Sequence, residues 1–308
     1  MDIKLRIEKL NNRQDPIALG RIKDFRDPAI RTLVLAENVD IDRNGVATRR
    51  KGRLRRYDGA PHSFWVHPQD NGLAFFVEDQ TLMILNADFT SDPLSPLNSN
   101  LPMAYEVVNG EAVGTNQVDI GWINNAGFAP FAPALGQFEA FMPPGQYLAF
   151  ANGILYVASG PVVFASKPYN VERRDTRYSE FPMNGYIRMM AAVEDGIWAA
   201  TERRVFFING GGSDVFTYLD VTDHVPPDGA FWVGWERVGD AIRRAVVWVS
   251  TEGFCMGLAG GKFELLSTDV ALPTGSSGRV FSRTINGIPQ YIAVINNPEG
   301  SEAYTAPT

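Results

Sequence analysis

Residues 151–166 read Ala-Asn-Gly-Ile-Leu-Tyr-Val-Ala-Ser-Gly-Pro-Val-Val-Phe-Ala-Ser, and this stretch decides the fold. From Ala140 to Ser166 the chain carries no charge, and Tyr147–Ser166 is apolar over about the length that crosses a bilayer. Asn152-Gly153 and Gly160-Pro161 interrupt it. These pairs are turn punctuation, and they cut the segment into Tyr147–Phe150, Ile154–Val157 and Val162–Phe164, each the length of a short strand. A lipid-exposed helix broken twice would leave its backbone polar groups unpaired, so a three-stranded meander is the expected structure.

The same wording recurs. Asn-Gly or Asp-Gly, a short apolar run, a tight turn and a second apolar run appear in DNGLAFFVEDQTLMILN around Gly72 and EDGIWAATERRVFFING around Gly196. Looser copies surround Gly110, follow Arg244 and surround Gly287, and the six units are roughly 38 to 49 residues apart. Antiparallel hairpins at that spacing correspond to one four-stranded propeller blade per repeat. The expected fold is therefore all-β, a six-bladed β-propeller with an extended N-terminal arm. A pair of β-sandwiches is the competing architecture, since it too consists of many short strands. Residues 1–31 read as the arm and residues 32–308 as the propeller. Within the propeller, residues 32–59 supply a closing strand, from Thr32 to Val39, and a basic hairpin. The polar stretches TSDPLSPLNSN, KPYNVERRDTRYSEFP and DVTDHVPPDG read as connections between blades.

Composition narrows the functional classes. Of 308 residues, 45% are hydrophobic and 20% charged, which excludes a disordered chain. The start, MDIKLRIEKLNNRQ, interleaves charges and lacks the apolar core of a secretory signal. One cysteine, Cys255, permits no intrachain disulfide and points to assembly in a reducing cytoplasm. The net charge of −7 is split: residues 1–60 hold 15 Lys or Arg against 9 Asp or Glu, and the remainder holds 13 against 26. A basic front on an acidic body points to a partner surface.

That front contains Val39 and Ile41, the turn pair Asn44-Gly45, and then Arg49, Arg50, Lys51, Arg53, Arg55 and Arg56. Asp40, Asp42 and Asn44 imitate the opening of a calcium loop, but its twelfth position is Lys51, where a closing carboxylate is required. A hairpin turn at Asn44-Gly45 is the better reading. The six basic residues form an edge strand guarded by charge, a subunit interface with an acidic neighbour, or a nucleic-acid contact. No aromatic residue is interleaved for base stacking between Arg49 and Arg56.

The order Asn11-Asn12, Ala36–Asp42 (AENVDID), Asn44-Gly45, Arg49–Gly52 (RRKG) and His62–Trp65 (HSFW) resembles the N-terminal pattern of bacteriophage virion proteins that carry propellers, the tail accessory, nozzle and hub proteins. The resemblance covers about residues 10–66 by motif. It departs at Lys51, where proline is common, and the chain is short beside the nozzle proteins. It implies a structural tail component without enzymatic activity and without cofactor or metal, acting in virion assembly and in host attachment or genome passage. Its implied partners are other copies of itself, other tail proteins and DNA passing through the tail; its implied location is the virion, assembled in the bacterial cytoplasm, with no membrane span.

No catalytic signature competes strongly. His62, His67 and His224 lack a recognisable third metal ligand, and Cys255 lies in an apolar run with no basic partner. Gly210–Gly212 precedes a strand rather than a helix, so it offers no phosphate cradle. A propeller glycoside hydrolase or glycan-binding receptor protein is the alternative. It would draw on carboxylates among Asp119, Glu194, Asp195, Glu236 and Asp240, with Trp122, Trp232 and Trp235 either stacking on sugar or packed between blades.

Overall fold

The computed structural model describes residues 59–70, 73–210, 216–238, 240–266, 275–285, 288–297 and 300–307. It also gives the backbone of short strands at 9–10, 32–33, 39–41 and 47–49. Among these residues the chain is built of β-strands, with one 3-10 turn at Ala259–Gly261. Six antiparallel sheets follow one another in sequence. Sheet 1 holds His62–Val66, Ala74–Glu78, Thr81–Leu85 and Ser91–Pro96, and sheet 2 holds Ala104–Val108, Glu111–Thr115, Ile120–Asn124 and Gly127–Pro130. Sheet 3 holds Tyr147–Ala151, Ile154–Ser159, Val162–Ala165 and Glu180–Pro182; sheet 4 holds Met189–Ala192, Ile197–Ala200, Val205–Gly210 and Phe216–Thr222. Sheet 5 holds Phe231–Val238, Ala241–Ser250, Gly253–Gly257 and Phe263–Leu265, and sheet 6 has Ser277–Ile285, Ile288–Asn297 and Gly300–Pro307.

The repeating unit of the sequence is the middle of each sheet. Ala74–Glu78 pairs with Thr81–Leu85, Ile154–Ser159 with Val162–Ala165, and Ile197–Ala200 with Val205–Gly210. Central strands are covered on both faces, which is why they read as continuous apolar runs rather than alternating ones. The turns carry the backbone that their residues suit. Asn152 and Gly153 both have positive φ, 53° and 76°, the conformation a two-residue Asn-Gly hairpin turn requires. Pro93 and Pro96 fall in the outermost strand of sheet 1, where a missing N–H costs no ladder bond on the solvent side.

Five apolar clusters fill the spaces between successive sheets. Phe75, Val77 and Leu82 of sheet 1 meet Ala112 and Ile123 of sheet 2. Val113 and Ile120 of sheet 2 meet Leu148 and Val157 of sheet 3, and Ile154 and Tyr156 of sheet 3 meet Met190 and Ile197 of sheet 4. Trp198 and Phe207 of sheet 4 pack on Trp248 and Cys255 of sheet 5, and Val247 and Phe254 of sheet 5 pack on Tyr291 and Ala293 of sheet 6. Face-to-face stacking of consecutive sheets, with the first strands of sheets 2 to 6 adjoining in turn, is the arrangement of a β-propeller.

Two stretches expected to be connections contain strands instead, and a third begins inside one. Ser91–Pro96 and Glu180–Pro182 are the outermost strands of sheets 1 and 3, and Phe216–Thr222, the outermost strand of sheet 4, runs three residues into the expected connection that starts at Asp220. The basic segment between the last two strands of sheet 3 also builds a small lobe, in which Glu139–Phe141 pairs with Arg173–Asp175. In the front end, Val39–Ile41 pairs antiparallel with Ala47–Arg49, while Thr32–Leu33 pairs in parallel with Lys9–Leu10. Asn44, Gly45, Arg50, Lys51, Arg53, Arg55 and Arg56 lie outside the described residues, as does the side chain of Arg49.

Candidate functional site

The line along which the first strands gather ends in a polar cluster on the side of the first hairpin turns. It is assembled from four sheets. Glu106 lies on the first strand of sheet 2, and its carboxylate accepts the N–H of Val107 at 3.0 Å and that of Phe150 on the first strand of sheet 3. Its side chain is 14% exposed and stands 3.7 Å from the guanidinium of Arg244, on the second strand of sheet 5. The backbone N–H of Arg244 donates to Glu194 at 2.6 Å, from the first turn of sheet 4. Burial pushes the Glu106 carboxyl above its usual range, against the opposing pull of Arg244 and the two amides.

Arg244 occupies this position because the first hairpin of sheet 5 is long. Its strands run for eight and ten residues, whereas the first strands of sheets 2, 3 and 4 have five, five and four. Trp235 lies directly across the hairpin from Arg244 and is 66% exposed. On the opposite face of the same hairpin, Glu236 accepts a hydrogen bond from the Tyr291 hydroxyl of sheet 6, and burial with this neighbouring carboxylate pushes the phenol upward.

The starts of the first strands hold a second polar group. The Tyr147 hydroxyl of sheet 3 donates to Asp228 at 2.6 Å, just ahead of sheet 5. Arg279 of sheet 6 donates to the carbonyl of Gly229 at 3.1 Å. Each of these bonds joins a sheet to the stretch that leads into sheet 5, so they fasten the stack rather than free a group for chemistry.

The carboxylates singled out in the sequence separate into different environments. Asp119 is a turn residue: it accepts from Asn98 N at 2.9 Å and from Asn116 Nδ2 at 3.0 Å, and its own N–H donates to Asn116 Oδ1 at 2.6 Å. Asp195 accepts the Gly260 N–H at 2.8 Å, tying sheet 4 to the 3-10 turn. Asp240 is exposed at the tip of the long hairpin. Glu194 alone of the five meets Arg244, and its companion Glu106 is absent from the sequence expectation. A charged residue within AYEVV carries no turn signal and no motif, so only the meeting of the sheets reveals it.

The remaining candidates have structural roles. Trp122 and Trp232 pack between sheets, unlike Trp235. His67 is buried, with Nδ1 accepting the N–H groups of Gln69 and Asp70 at 3.3 and 3.0 Å. His62 bonds Ser63 and Asn100, and His224 stacks on Phe263. Among the described residues no three His, Cys, Asp or Glu group as metal ligands. Burial pushes the Cys255 thiol up to about 12, which leaves it unreactive. Among the described residues no helix is long and apolar enough to cross a membrane.

No family model and no curated protein matches the chain. Solved structures do. A gluconolactonase from Xanthomonas campestris is similar at 11% identity and a TM-score of 0.50, over 82% of this chain and 88% of that one. The extracellular domain of a one-component system from B. thetaiotaomicron is similar at 10% identity and a TM-score of 0.50, over 80% of this chain and 33% of that one. Virginiamycin B lyase from Staphylococcus aureus aligns at 13% identity and a TM-score of 0.47, over 79% and 83%. At such identities the first two likenesses show the fold, a β-propeller, and nothing of the chemistry.

Proposed function

We propose that the chain is a structural component of a bacteriophage tail, a six-bladed propeller that serves as a rigid block in virion assembly. The observation that carries this reading is the antiparallel pairing of Val39–Ile41 with Ala47–Arg49. It gives the AENVDID…NG…RRKG segment a hairpin's strand pairing immediately ahead of a serial stack of sheets, which is the order the phage resemblance implies.

The blade number draws support from the Glu106–Arg244 contact. These residues belong to sheets 2 and 5, three steps apart, yet meet across the gathered first strands. If three steps span a diameter, a full turn takes six. In this reading the basic residues 49–56 and the arm, residues 1–31, engage the acidic body of a neighbouring copy or another tail protein, by charge complementarity and main-chain pairing.

The test is the composition of purified particles. Mass spectrometry of density-purified virions should find the chain in several copies. Deleting residues 1–31 should leave a folded propeller that no longer enters particles. Virions that lack the chain overturn the reading, and normal incorporation of the truncated protein overturns the role of the arm.

A further inference from the structure

The long first hairpin of sheet 5 raises two large apolar side chains into solvent, Trp235 and Ile242, each 66% exposed. The hairpin overruns the first strands of sheets 2 to 4 by about three or four residues, roughly 10–13 Å. Its register is unbroken from Phe231↔Trp248 to Val238↔Ala241, so the indole stands on a rigid two-stranded ribbon. Arg244 is its cross-strand neighbour, with about 5 Å between the Cβ atoms of such a pair.

The foot of this platform is polar. At 3.7 Å from Glu106 the Arg244 guanidinium is attracted to the carboxylate without a direct hydrogen bond to it, so its forked donors remain available. Glu194 is exposed and retains acceptor capacity beyond the Arg244 N–H. The site thus offers a flat aromatic face, a fork of donors and the exposed carboxylate of Glu194.

We propose that this ledge binds a carbohydrate chain, one sugar ring stacking its C–H face on Trp235 while its hydroxyls donate to Glu194 and accept from Arg244. A polyhydroxylated ligand satisfies both halves of the surface at once. An apolar protein face laid on Trp235 and Ile242 would instead leave the charged groups beside them without partners, which disfavours it. The inference concerns the isolated chain and stands apart from its place in a virion.

Isothermal titration of the full chain with cellotetraose, maltotetraose, chitotetraose and deacylated lipopolysaccharide tests it, with indole fluorescence as a second readout. At least one probe should bind with a Kd of about 1 mM or tighter. Trp235→Ala should weaken that binding at least about tenfold with an unchanged melting curve, and Trp235→Phe should restore part of it. No response from any of the four probes at about 10 mM overturns the proposal. So does undiminished binding by Trp235→Ala. A concentration-dependent dimer that is lost in Trp235→Ala, with no sugar response, overturns it in favour of a contact between copies.

Discussion

Replacing Glu106 by glutamine should stabilise this protein at neutral pH, although the change deletes one partner of an ion pair. The two charges lie 3.7 Å apart and attract by about 4–5 kcal/mol at an effective dielectric constant of about 20. Their side chains are only 14% and 27% exposed, and withdrawing each charge from water costs several kcal/mol. Burial is the larger influence on the Glu106 carboxyl, so its folded value lies above the ordinary 4.5. For a group raised in this way, the stability it contributes is complete below the unfolded value and is lost as pH rises through the folded one.

Glutamine has the same shape and no such loss. Glu106→Gln should therefore match the parent near pH 4 and exceed it by about 1 kcal/mol at pH 8. Arg244→Met, which strands the carboxylate, should cost about 1–3 kcal/mol at pH 8 and much less at pH 4, and the double variant should recover most of that cost. Guanidinium unfolding at the two pH values, with unchanged m, measures all three. A Glu106→Gln variant less stable than the parent at pH 8, or one with the parent's pH dependence, refutes the reasoning.

Trp198 is fully buried, packs on Phe207 and Trp248 at centroid distances of 5.4 and 5.7 Å, and donates from Nε1 to Leu258 O at 3.1 Å. Trp198→Ala should cost about 3–5 kcal/mol in thermal or denaturant unfolding, and Trp198→Phe markedly less. In the lobe, Glu139 holds Lys167, Arg173 and the Gly136 N–H, and these bonds keep its carboxyl down to about 2. A depressed carboxylate stabilises above its ordinary pKa and loses that contribution as pH falls through the folded value. The protection factor of the Thr176 amide, which bonds Phe138 O, should accordingly fall only as pH approaches about 2, and in Glu139→Gln it should be lower than the parent's at every pH above that.

How much of this could be read beforehand differed with depth in the sheets. The second and third strands were legible because they are apolar throughout and follow Asn-Gly or Asp-Gly turns, as in Ile154–Ser159 and Val162–Ala165. Outermost strands were not. Ser91–Pro96 contains two prolines and faces solvent, and Glu180–Pro182 ends a segment rich in charged residues, so neither shows a period of two. The lobe strands Glu139–Phe141 and Arg173–Asp175 are joined partly by ion pairs, which hydrophobic patterning does not register. At the candidate site, Glu194 sits in a turn and was visible there. Glu106 and Arg244 gain meaning only when sheets more than a hundred residues apart in sequence come together, a relation that no local spacing encodes.

The cross-sheet contact bears on traffic. Glu106 and Arg244 meet across the gathered first strands, where the proposed six-bladed propeller would have its bore, and Tyr147 and Asp228 bond at the starts of those strands. Anything threading that bore would have to part both couples and strip buried charges of their partners. Under the proposed tail role, the passage for nucleic acid is then expected between copies, each propeller forming part of the wall and none of them the pipe.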